Sequence, residues 1–212
     1  MRPADPPPAD PPPAEQPAEP PPAEQPAAVR AVLAASPVVT SVLHGARALD
    51  PPGWWVAAGA VAQTIWNHVT GRHPDHGIRD YDLIYHDPSD LSWEAEDAVI
   101  RAGREVFGDV PVEIRNEARV HLWYAERFGT PCPPYRSAED AIDSFPSTTC
   151  GLGVRIEPSG EWRLYAPYGV SDAFDLVVRP NPRLAPRHVY EAKVARWTAT
   201  WPELTALPWL DA

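Results

Sequence analysis

Residues 78–87 read IRDYDLIYHD, with two aspartates, Asp80 and Asp82, one residue apart among apolar and aromatic neighbours. Aspartate is depleted in strands and costly to bury without a partner, so a strand built only to fill a core does not choose it twice. Side chains at i and i+2 of a strand share a face, so Asp80 and Asp82 project together while Tyr81 and Leu83 point the other way. Their Cα atoms would stand about 7 Å apart at a strand rise of roughly 3.3 Å per residue. Two unpaired carboxylates at that range repel, and one is driven to take a proton unless a cation lies between them. Magnesium suits the place, because it takes oxygen ligands from one or two carboxylates and fills its remaining positions with substrate phosphates.

Outward from this strand, GWWVAAGA at 53–60 reads as a buried strand that stops at a tight turn on Gly59. The following run, AVAQTIWNHVTG, reads as a helix with Val61, Ile65 and Val69 on one face and Gly71 as its stop. The start of such a helix presents free N–H groups and a positive dipole end to phosphate. Downstream, DVPVEIRN at 109–116 is a third strand, with Val110, Val112 and Ile114 on one face and Glu113 on the other. Between them, 90–108 is a helix capped by Asp90 or Ser92, with Leu91, Ala95, Ala98, Ala102 and Val106 as its inner face. Glu113 has the parity to join Asp80 and Asp82, and three carboxylates on adjacent strands can hold two metal ions roughly 3.5–4 Å apart for in-line displacement at phosphorus.

The remaining elements follow from capping and periodicity. SPVVTSVLHGARALD is a helix with Ser36 as cap and Pro37 in its first turn. SAEDAIDSF is a short capped helix, and GLGVRIEPSGEWRLYAP is a hairpin turning at Ser159-Gly160. PRHVYEAKVARWTATW closes the chain as a helix whose Tyr190, Val194, Trp197 and Trp201 share a core-facing stripe. Strands alternating with helices give an α/β or α+β class.

Composition divides the chain. Residues 1–27 are nearly all Pro, Ala, Glu, Asp and Gln, with near-copies such as ADPPPADPPPAEQ and AEPPPAEQ, and no branched aliphatic or aromatic residue. Such a segment cannot bury enough apolar surface to offset chain entropy, so it reads as a disordered acidic tail, with a ligand for a proline-binding domain as the rarer alternative. Residues 28–212 hold every Trp, Tyr and Phe and suit one domain. The net charge is −11, and the tail contributes five acids against Arg2. An acidic domain is a poor candidate for non-specific nucleic-acid binding, which depends on Lys and Arg neutralising phosphates. No window reaches the roughly 18 apolar residues that span a bilayer, and no secretory-type stretch opens the chain, so the expectation is a cytoplasmic protein with no membrane partner. Cys132 and Cys150 form no metal-type spacing; a disulfide between them is open, with reduced thiols favoured.

Other polar residues are weaker signals. His68, His73, His76 and Asp75 crowd one loop, but their spacing matches no common zinc signature. Asn116, Arg119 and His121 follow the third strand and either line an acceptor site or serve as caps and surface pairs. Arg179, Arg183, Arg187, Lys193 and Arg196 give 176–200 a basic excess that is either a phosphate or nucleic-acid contact or, as is commoner, a solvated face offsetting acids elsewhere.

The order of apolar strand, small-residue turn, helix, h-D-x-D-h and then h-E-h resembles the nucleotidyltransferase superfamily that includes DNA polymerase beta. WWVAAGAVAQTIWNHVTGRHPDHGIRDYDLIYHD is similar to the antibiotic-type members, and 53–200, with NEARVHLWY and YAPYGVSDAF, resembles a family of small bacterial nucleotidyltransferase-like proteins. The resemblance implies an α+β fold with a mixed central sheet and helices packed on it. It also implies that Asp80 and Asp82 bind magnesium, with two ions expected and manganese an alternative. Glu113 would complete one site and orient or deprotonate the acceptor. Gly59 and Ala60 would meet the nucleotide phosphates, and Arg72 and His76 would face the nucleotide. The implied reaction moves a nucleoside monophosphate from an NTP to an acceptor, which is a small molecule, a protein or an RNA end, and releases pyrophosphate. The chain departs from the superfamily's Gly-Ser or Gly-Gly at Gly59-Ala60, so a hydroxyl that helps grip phosphate is missing. The alternative is therefore a catalytically weak or inert nucleotide-binding or interaction protein on the same fold.

Overall fold

The computed structural model describes residues 25–209; the acidic segment read from the sequence lies outside them up to residue 24. Two helices come first, α1 over Gln25–Ala34 and α2 over Pro37–Leu49. Helix α1 was not expected from the sequence and buries Val29, Val32 and Leu33. The Ser36 hydroxyl accepts from the Val39 amide, which makes the expected N-cap of α2.

The sheet forms next: β1 over Trp55–Ala57, β2 over Tyr81–Tyr85, β3 over Val112–Asn116, β4 over Gly153–Ile156 and β5 over Trp162–Tyr165. Its order is β3-β2-β1-β4-β5. Only β2 and β3 run parallel; the other three pairings are antiparallel, and β4–β5 is the expected hairpin. Two helices link neighbouring strands, α3 over Gly59–Val69 between the antiparallel β1 and β2, and α4 over Trp93–Phe107 as the crossover between the parallel β2 and β3. A six-residue 3-10 turn, Glu117–Leu122, leads from β3 into α5, Tyr124–Phe128; α6 is Ala138–Ile142, and α7 is Ser171–Phe174. The chain ends with α8, Arg187–Thr200, and a small parallel pair of β6, Val177–Val178, with β7, Thr205–Ala206.

Strand alternation separates two faces. Val56, Tyr81, Leu83, Tyr85, Ile114, Val154 and Ile156 join α1, α2, α3 and α8 in the main core. Trp55, Ala57 and Ile84 face the other way and are buried beneath Ala138 and Ile142 of α6, with Phe145 and Tyr165 packed beside them. This second face carries Asp82. In the main core Trp66 packs edge-on against Trp197 and Trp201, with ring centroids 5.5 and 5.4 Å apart. The Trp201 indole donates to Asn67 Oδ1 at 2.7 Å, which ties α8 to α3.

Helix α4 corrects the expected inner face. Its buried positions are Glu96 and Gly103, with Val99, Ile100 and Phe107 half-buried, while Ala98, Ala102 and Val106 are exposed. A polar pairing decided the rotation: Glu96 accepts from the Asn116 amide at 2.8 Å and pairs with the Arg119 guanidinium. Gly103 permits the close approach, since a Cβ there would collide with Ile114 Cδ1. Both cysteines are buried and free. Among the described residues no single helix is long and apolar enough to cross a membrane; the bent pair α1 and α2 passes by length and composition, but its apolar residues belong to the core.

Candidate active site

A cavity of about 240 Å³ opens on the second sheet face, lined by Ala58, Gly59, Asp82, Arg115, Glu117 and Lys193 among others. Its opposite wall is aromatic, with Trp123, Tyr124, Phe128 and Tyr135. Elements from across the chain converge here: the start of α3, the start of β2, the end of β3 with the 3-10 turn, and the middle of α8.

The start of α3 is bent for the purpose. Ala58 stands at φ 60 and ψ −132, a conformation that L-residues rarely adopt, and no side chain caps the helix. The Ala58 amide donates to the Leu152 carbonyl at 3.0 Å, so the approach to β4 holds the turn. Strain retained beside a cavity is typical of sites where backbone must meet a ligand. Gly59 lines the cavity as expected. Ala60 does not: it is buried, and its carbonyl accepts from the Thr64 hydroxyl.

Charge is concentrated in the cavity. Burial and the Asp80 carboxylate push the Asp82 carboxyl up to about 6, against the pull of Lys193, Arg115 and Arg196. Burial pushes Glu117 up to about 8, with Asp82 adding to the shift and Arg115 opposing it. Burial also pushes the Cys150 thiol up to about 12, with Lys193 and Arg196 pulling it down. Two carboxyls in one cavity whose ionisation lies near neutrality can exchange protons or meet a cation.

The expected residues fall into two groups. Asp82 faces the cavity, and Asp80 lies exposed in the loop just before β2. Glu113 stands beside Asp82 in the parallel register, but it is exposed, pairs with Arg115, and lines a separate cleft between β3 and α4. Among the described residues no three His, Cys, Asp or Glu side chains gather closely enough to hold a metal ion by themselves. Arg72 pairs with Glu203 at 2.8 Å and His76 lies edge-on to Trp201, and neither lines the cavity. Asn116 caps the 3-10 turn and bonds both ways with Asp87, while Arg119 serves Glu96 and the Leu91 carbonyl, so both are structural. Glu117 and the aromatic wall were missed. The available signal for Glu117 was an acid placed immediately beyond the carboxyl end of a parallel strand, where ligands of open sheets bind.

The sequence matches the model of a nucleotidyltransferase family over residues 44–206, from within α2 through β7. The chain belongs to this family. A solved structure whose NMR description reports a CCA-adding enzyme head domain aligns with it at a TM-score of 0.71 and 26% identity, covering 85% of this chain and 95% of that one. No curated protein matches the sequence. The nucleotidyltransferase fold accounts for the mixed sheet with its helices. The family match begins at residue 44, so α1 and the first turns of α2 stand before it.

Proposed function

We propose that this nucleotidyltransferase is an active, metal-dependent enzyme that moves a nucleoside monophosphate from an NTP to an acceptor hydroxyl and releases pyrophosphate. The observation that carries the reading is Asp82, a carboxyl facing a cavity whose other edge is an uncapped helix start. An oxygen of the acceptor attacks the α-phosphorus, and the bond from that phosphorus to the bridging β-phosphate oxygen breaks. The amides at the start of α3 meet the phosphates in place of the missing hydroxyl. The repulsion that Asp80 exerts on Asp82 fits this pair to a magnesium or manganese ion, whose open positions substrate phosphates would fill. When bound, that ion neutralises charge on the phosphates. Glu117, buried in the same cavity, holds its proton up to about 8 and so would take the acceptor's proton only when ionised, above that value. The aromatic wall excludes water from one side of the nucleotide.

A specific observation favours the second reading of an inert nucleotide-binding relative: Glu113, the expected third acid, is held by Arg115. Incubation with each NTP labelled at the α-phosphorus, with magnesium and with acceptors of each class, separates the two. Label transferred by the wild type but not by Asp82→Asn supports the enzyme; binding without transfer for all four NTPs supports the relative.

A further inference from the structure

The basic run of 176–200 does not act as one surface. Arg179 pairs with Asp172 at 2.8 Å, Arg183 bridges Asp140 and Asp143 at 3.0 and 2.8 Å, and Arg187 pairs with Glu191 at 2.7 Å. Lys193 and Arg196 differ: among the described residues their side chains make no ion pair or hydrogen bond, and both are half-buried. They sit against one indole, with Lys193 Nζ 5.8 Å and Arg196 Cζ 6.0 Å from the centroid of Trp197. Trp197 and Lys193 line the same cavity as Gly59 and Asp82, and the Trp197 indole N–H is buried without a protein partner.

A cavity lined by Asp82 would repel a polyanion unless cations offset it, and Arg115 is already engaged by Glu113. We propose that Lys193, with Arg196 beside it, binds the β- and γ-phosphates of the nucleotide and holds the pyrophosphate until release. The inference rests on the nucleotidyl-transfer reading above, but it concerns which phosphates are held and by what. A half-buried ammonium over an aromatic face is restrained in position and less hydrated than a surface lysine, so its attraction for a polyphosphate is stronger. The Asn67–Trp201 bond fixes α8 against α3, and Lys193 lines the same cavity as Gly59 at the start of α3, with Arg196 on the neighbouring Trp197 ring.

The test is calorimetric binding of inorganic pyrophosphate to the full chain in magnesium, beside a transfer assay. Lys193→Gln should weaken binding about tenfold or more, the loss expected for one charge-assisted contact. Arg196→Gln should weaken it in the same direction, and Lys193→Arg should retain most of it. Arg179→Gln removes the same charge from a residue paired away from the cavity and should leave binding unchanged. If Lys193→Gln fails to fold, Arg196→Gln and Lys193→Arg still decide. Wild-type protein that binds no pyrophosphate, or equal weakening in the Lys193 and Arg179 variants, overturns the proposal. Pyrophosphate binding that depends on Lys193 in a protein that transfers nothing supports the phosphate site while refuting the enzyme. Transfer that survives with unchanged pyrophosphate affinity in Lys193→Gln and Arg196→Gln does the reverse.

Discussion

Asp82→Asn removes one of two like charges that the start of β2 holds close together. Without metal the substitution should leave the melting temperature unchanged or raise it, because the repulsion from Asp80 disappears. With magnesium and NTP the wild type should gain stability by mass action while the mutant gains much less. Equal gains in thermal melts of the two proteins would remove Asp82 from the site. Glu117 gives a second expectation, in pH dependence. Its carboxyl titrates near 4.5 when free and at about 8 in the fold, so between those values the folded state keeps a proton that the unfolded chain has released. Stability from this group is therefore fully present below about 4.5 and is lost as pH rises through about 8. Glu117→Gln should flatten the fall in melting temperature between pH 6 and about 8.5 without abolishing it, since other acids also titrate. A mutant whose pH profile parallels the wild type's would show that Glu117 is not protonated in the fold.

At the level of elements, apolar periodicity was legible where burial and hydrophobicity coincide. Helix α8 displays Tyr190, Trp197 and Trp201 as its buried stripe, and Ser36, Ser92 and Ser137 cap the helices they were expected to start or flank. It failed on α4, where the buried face is set by a glutamate and a glycine, residue types that hydrophobic spacing counts as outside. The same blindness applies to the site. Asp82 announced itself because an acid in a strand violates a propensity, with Asp80 read into the same strand although β2 begins at Tyr81, whereas Glu117 sits in a turn where an acid is ordinary. Arg115 and Glu113 share a strand face, so their pairing was available in the sequence but competed with the third-ligand reading. The Glu96–Arg119 pair tests how α4 is held. Glu96→Ala leaves the Arg119 charge half-enclosed and the Asn116 amide without its acceptor, and should cost about 3–5 kcal/mol. The double variant with Arg119→Met should recover part of that loss in urea melts. A single mutant within about 0.5 kcal/mol of wild type would show that the pair does not position the helix.

Across the whole molecule, one buried side chain joins the parts that make the site. Asn67 in α3 donates to the carbonyls of Pro74 and His76 at 2.8 and 2.9 Å and accepts from the Trp201 indole at 2.7 Å. The first two bonds shape the loop that delivers Asp80; the third fixes the end of α8, the helix that carries Lys193. Asn67→Ala leaves two carbonyls and one indole N–H without partners, a cost of about 3 kcal/mol or more and a Tm fall of roughly 6–12 °C for a chain of this size. Trp201→Phe keeps the two loop bonds, breaks the indole bond to Asn67 and shrinks the ring that packs on Trp66 and His76. The functional readouts should divide in the same way. Asn67→Ala should lose magnesium-dependent stabilisation as well as pyrophosphate affinity, because both Asp80's loop and α8 are loosened. Trp201→Phe should lower pyrophosphate affinity while keeping most of the magnesium response. If the two variants lose both responses in equal proportion, the asparagine is a packing residue only, and loop and helix do not depend on it separately.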